Sequence, residues 1–138
     1  MKATLLLCDY AQVAGGKLTA VGAGWTFTSA VTTHAVGILL DVPWDLANTR
    51  MTWNLELKDA DGQPVLQEGP SGSVAVQAGG ELEVGRPAGY AAGTPIPACF
   101  AIPVHGVVLT PGSRYVWEFS VDGETREEWL LRFGTRPA

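Results

Sequence analysis

Between Arg114 and Val121 every second side chain is large and apolar: Tyr115, Trp117, Phe119 and Val121 alternate with Arg114, Val116, Glu118 and Ser120. That period of two is the mark of a β-strand with one buried face. The same alternation runs through 50–58, where Met51, Trp53, Leu55 and Leu57 oppose Arg50, Thr52, Asn54, Glu56 and Lys58. In 34–42 the even positions Val36, Ile38, Leu40 and Val42 are branched or large, whereas the odd ones include Gly37 and Asp41, so the even face is the core face. No segment carries a convincing helical stripe.

Seventeen Gly and nine Pro punctuate these runs at the spacing of many short strands joined by turns. Strands are predicted near 2–8, 17–22, 24–28, 34–42, 50–58, 63–67, 73–78, 81–85, 98–104, 114–121 and 126–133. This pattern predicts an all-β fold, an antiparallel β-sandwich of immunoglobulin-like or related Greek-key architecture. The 138 residues fit one domain, 1–138, which would bury roughly two-thirds of its unfolded surface.

The formal net charge is −5 and the nine cations are scattered. Nucleic-acid binders concentrate cations to displace counterions from phosphates, so the composition predicts no nucleic-acid partner and no attraction to anionic membranes. The opening apolar run, Leu5 to Cys8, ends at Asp9, too short for a secretory core, and no run approaches a membrane span. These readings predict a soluble protein of the cytoplasm, with Cys8 and Cys99 as free thiols.

The last hairpin invites a register argument. A two-residue turn at Asp122-Gly123, continued as a regular ladder, would set Trp117 opposite Glu128 and place charge on the core face. A three-residue loop, Val121-Asp122-Gly123, instead pairs Phe119 with Thr125, Trp117 with Glu127 and Tyr115 with Trp129. That register puts Trp129, Leu131 and Phe133 on the face of Tyr115 and Trp117, requires φ > 0 at Gly123, and leaves Glu127 as the one awkward core-side charge. Upstream, Leu109-Thr-Pro-Gly-Ser-Arg-Tyr115 is similar to the turn-then-Tyr entry of immunoglobulin-like strands, where the Tyr hydroxyl bonds back to the turn backbone.

Over its whole length the chain resembles a family of small bacterial and phage-encoded domains of unknown function. The resemblance is carried by Ala11-Gln12-Val13 with Gly16-Lys17-Leu18, Gly22-Ala-Gly24-Trp25, Val42-Pro-Trp-Asp45, Asp61-Gly-Gln-Pro-Val65, Gly85-Arg-Pro87 with Gly93-Thr-Pro95, and Pro111-Gly112 with Tyr115-Val-Trp117 and Asp122-Gly-Glu124. These are turn and core residues. The resemblance implies a β-sandwich without an assigned activity, and a virion-associated location if the chain is phage-encoded.

Catalytic signals are sparse. Gly69-Pro-Ser-Gly-Ser73 is not a nucleophile elbow, and Cys99 with His105 share a strand face only if Pro103 leaves the strand unbroken. Two Cys and two His at unrelated spacings make no soft-metal site. Asp59 and Asp61 beside Gly62 are ordinary turn chemistry; as calcium ligands they would need Asp41, Asp45 or Asp122 gathered from neighbouring loops. A sugar-binding face would use Trp44 beside Asp45, Trp25 and Tyr90. The reading is therefore of a non-enzyme with no cofactor or metal.

Residues 86–97 are the longest aperiodic stretch, with three Pro and two Gly, and predict an extended connection across the surface. This arm favours a protein partner or self-association through Arg86, Tyr90, Ile96 and Trp44, with a small ligand such as sugar or calcium as the alternative. The chain then acts as a structural or interaction module, such as a phage decoration protein or a homo-oligomer.

Overall fold

A computed structural model describes residues 1–138. Two sheets face each other. The first has strand order β1 (Lys2–Cys8), β5 (Val31–Val42), β10 (Ile96–Val108). The second runs β4 (Phe27–Thr28), β12 (Leu130–Thr135), β11 (Arg114–Val121), β6 (Met51–Asp59), β9 (Gln77–Leu82). Every pairing is antiparallel except the two-residue contact of β4 with β12. The fold is thus an all-β sandwich.

The alternations predicted from sequence set the layers. Val36, Ile38, Leu40 and Val42 point inward from β5, Met51, Trp53, Leu55 and Leu57 from β6, and Tyr115, Trp117, Phe119 and Val121 from β11; all are buried. Together with Leu5 and Leu7 of β1 they form one continuous core. Burying each such side chain contributes roughly 1.5–3 kcal/mol, so packing between the two sheets supplies most of what holds the domain together.

Two small hairpins attach to this frame. β2 (Tyr10–Ala14) and β3 (Lys17–Val21) pair across Gly15-Gly16, both left-handed at φ 59° and 72°, as a two-residue primed turn demands. The hairpin lies on the outer face of the first sheet, and Leu18 seats so closely on Gly37 that a Cβ there would stand 3.1 Å from it. Gly37 is therefore a docking point rather than a flaw in β5. The second hairpin joins β7 (Leu66–Gly69) to β8 (Gly72–Ala75), with Ser71 in its exposed turn.

Some predicted boundaries are revised. Residues 24–28 contribute only Phe27–Thr28, the 63–67 strand moves to Leu66–Gly69, and 73–78 breaks at Val76. The predicted hairpin register is corrected too. Val121 and Glu124 exchange both backbone bonds across a two-residue turn whose Asp122 and Gly123 have φ of 50° and 79°. The chain then leaves the ladder: Thr125 donates its hydroxyl to Phe119 O at 2.6 Å, and Glu127–Trp129 form a 3-10 turn. Pairing resumes at Glu118 with Leu130, setting Trp117 opposite Leu131 and Tyr115 opposite Phe133. The charge problem that argued for a longer turn is solved by this excursion. Glu127 is exposed and 2.9 Å from Arg132, while Trp129 still reaches the core beside Phe119.

Candidate functional site

The residues favoured for partner contact are assembled at one end of the sandwich. Pro43 ends β5 and leads into a 3-10 turn, Trp44–Leu46, which holds Trp44 at the rim. The chain from Gly85 to Pro95 runs back over this end without joining a strand, and within it only Thr94 is even half-buried. Arg86 lies across Trp44: its guanidinium carbon is 4.4 Å from the ring centroid and Nη2 donates to Trp44 O at 3.0 Å. An indole face is the best aromatic platform for a cation, and the added bond fixes a long side chain that would otherwise sweep freely.

Beyond Arg86 the arm is two turns in tandem. Tyr90 N–H bonds Pro87 O at 3.2 Å and Thr94 N–H bonds Ala91 O at 3.1 Å. The third residue of each is a glycine with positive φ, Gly89 at 88° and Gly93 at 87°, the type II requirement. The units Pro87-Ala-Gly-Tyr90 and Ala91-Ala-Gly-Thr94 are near repeats, and Tyr90 stands exposed at their junction. Beside the second unit a cleft of about 410 Å³ is lined by Met1, Lys2, Asp41, Trp44, Gly93 and Pro95, among others. Three of the four named residues, Arg86, Tyr90 and Trp44, thus belong to the arm and its root. Ile96 does not: it opens β10 opposite Val42 and is buried in the core, because the chain re-enters the first sheet one residue after Pro95.

The other candidates are dispersed. Asp59 Oδ1 accepts from Asp61 N at 2.9 Å and Gln63 N at 3.0 Å, so its carboxylate organises its own turn. Asp122 Oδ1 accepts from Thr52 N at 2.8 Å, and no three acidic, His or Cys side chains converge. Trp25 is half-buried, with its ring edge-on to His34 and Phe133. The Cys99 thiol meets Gly16 O at 3.5 Å in a cleft with Lys17 and Leu39, whereas a bulge between Val104 and Val107 carries His105 into a different cleft beside Tyr10 and Thr33. Both cysteines are free, and burial pushes the Cys8 thiol above its ordinary range.

One polar arrangement was not singled out in the sequence. His34 lies 3% exposed between the sheets, where Trp117 Nε1–H donates to its Nε2 at 3.2 Å. An indole N–H can only donate, so Nε2 must be the acceptor and the ring a neutral Nδ1–H tautomer. Nδ1–H then donates to Thr32 Oγ1 at 3.0 Å, which is 3.2 Å from Thr28 Oγ1. Burial lowers the His34 pKa to about 4. Both nitrogens are committed inside the protein, so the imidazole works as a strut joining β5 to β11. The signal was its phase: His34 is in step with Val36 and Ile38 on the inward face.

The model of DUF6941, a family of unknown function, matches residues 3–133. The chain belongs to DUF6941. Because that match runs from β1 into β12, the Trp44 turn and the arm lie within the DUF6941 region rather than outside it. No characterised protein and no solved structure matches the chain. No helix is long and apolar enough to cross a membrane.

Proposed function

We propose that this member of DUF6941 is a non-catalytic association module whose contact surface is the Gly85–Pro95 arm with Trp44 and Arg86 at its root. The Arg86–Trp44 pair is the observation that carries the reading. Arg, Trp and Tyr are the residues that anchor interfaces, and an anchor already held in place loses less freedom when a partner arrives. The turns of the arm act in the same direction, since type II geometry at Gly89 and Gly93 fixes an otherwise ladder-free segment. The finer version is a protein subunit of a larger assembly, such as a phage decoration protein or homo-oligomer, in the cytoplasm or on a virion; its support is the family resemblance together with the exposed arm.

A photo-crosslinking residue at position 90 tests this. The expected result is a defined protein adduct, obtained with the parent chain and lost in Trp44→Ala and Arg86→Ala while the fold is retained. A chain that gives no adduct and stays monomeric at high concentration, or an adduct indifferent to both substitutions, overturns it.

A further inference from the structure

A two-sheet sandwich has four edges, and three of them are interrupted or partly covered here. Along β1, Arg126 Nη1 donates to Met1 O at 2.9 Å and Gly24 N to Leu7 O at 2.8 Å. With those odd carbonyls facing out, the even residues of β1 pair with the odd residues of β5, so the even residues of β5 serve β10. The outward positions of β10 are then Pro97, Cys99, Ala101 and Pro103, and the two prolines have no N–H to offer. Farther along, the Gln67 side-chain amide imitates a strand, donating to Val108 O at 2.9 Å and accepting from Val108 N at 3.0 Å. β4 has only two residues.

β9 is different. Thr52 exchanges bonds with Asp122 on the β11 side, so Met51, Trp53 and Leu55 of β6 serve Leu82, Gly80 and Ala78 of β9. Gln77, Gly79 and Glu81 therefore turn their N–H and C=O groups to the open edge, where none has a hydrogen-bond partner. No proline, lysine or bulge interrupts Gln77–Leu82, and its one charge, Glu81, has Arg50 beside it, so the edge is open as a template for another strand.

We propose that two copies of this chain associate edge to edge through β9, antiparallel about a twofold axis at Gly79, joining their five-stranded sheets into one. The sequence of the edge is what selects a second copy over any other extended segment. With Gly79 opposite Gly79 of the other copy, Gln77 of each faces Glu81 of the other on the exposed outer face, so an amide donor meets a carboxylate twice by symmetry. The three outward residues of each copy then supply about six N–H···O=C bonds. A register centred on Glu81 would instead oppose two carboxylates, which selects against it. Arg50, 3.7 Å from Glu81, stays beside the contact as a counter-charge.

The decisive measurement is sedimentation equilibrium over the widest soluble concentration range, on the parent chain, Gln77→Glu and the exchanged pair Gln77→Glu/Glu81→Gln. Gly79 is left alone, because a Cβ there would press Trp53 O at 3.1 Å and confuse folding with association. The parent is expected to dimerise, Gln77→Glu to raise Kd on the order of tenfold by setting carboxylates opposite each other, and the exchanged pair to restore the parent value. A parent that remains monomeric, including one whose edge is taken by a segment of another protein, overturns the proposal, as does a dimer untouched by Gln77→Glu. The two readings are told apart by the same assay: a dimer lost in Trp44→Ala but kept in Gln77→Glu would place the contact at the arm and overturn the β9 pairing.

Discussion

The polar groups around His34 and those around Arg86 are engaged to opposite ends. In the interior, Trp117, His34 and Thr32 bond one another between the sheets, and both imidazole nitrogens of His34 are committed to protein partners. At the rim, Arg86 is fixed by Trp44 but remains exposed, with donors to spare. A hydrogen bond that closes a core and one that poises a surface side chain can have the same length. Burial separates them, since an unpaired group costs far more in the interior than at the rim.

That contrast can be broken from either side. Trp117→Ala removes both the largest side chain of the core and the partner of His34, so it should destabilise the fold by about 3–5 kcal/mol in urea unfolding. An effect near that of a surface substitution would mean that the strut is dispensable. Acid comes next. His34 has a folded pKa of about 4 against 6.5 unfolded, so between those values the unfolded chain binds the extra proton. The stability that neutral His34 provides is fully present above pH 6.5 and is lost as pH falls towards 4, by about 3 kcal/mol in all. Urea titrations across that window should show the loss in the parent chain and not in His34→Gln. The smallest effect is expected at the rim, where Arg86→Ala should cost about 0.5–1 kcal/mol in thermal unfolding and leave the acid profile unchanged.

The sequence made the layers readable because β5, β6 and β11 each bury one face and expose the other, the condition under which period two is strongest. Of the β2–β3 hairpin, β3 is legible at 17–22 but β2 escapes, for the converse reason. Tyr10–Ala14 lies on the outside of a sheet, four of its five residues are exposed, and burial leaves little imprint on it. Its available signal was the Gly15-Gly16 pair, a two-residue turn between short runs. The final hairpin was misread because a ladder was extended through residues that leave it. The Thr125–Trp129 excursion depends on where Trp129 finds space against Phe119, a tertiary fact with no local signature. The arm stands out by its lack of period and Trp44 as an aromatic beside Asp45, but their meeting through Arg86 joins positions 42 residues apart and is legible only in three dimensions.

The tandem turns of the arm have a consequence for how this surface can vary. Each four-residue unit closes on its own glycine and hands the chain onward without touching a ladder, so the arm is modular. Adding or deleting one unit between Arg86 and Pro95 would change the reach of Tyr90 while leaving the entry at Val84 and the return at Ile96 in place. Diversity at this end of the molecule can therefore accumulate in steps of whole turns, at almost no cost to the sandwich that carries it.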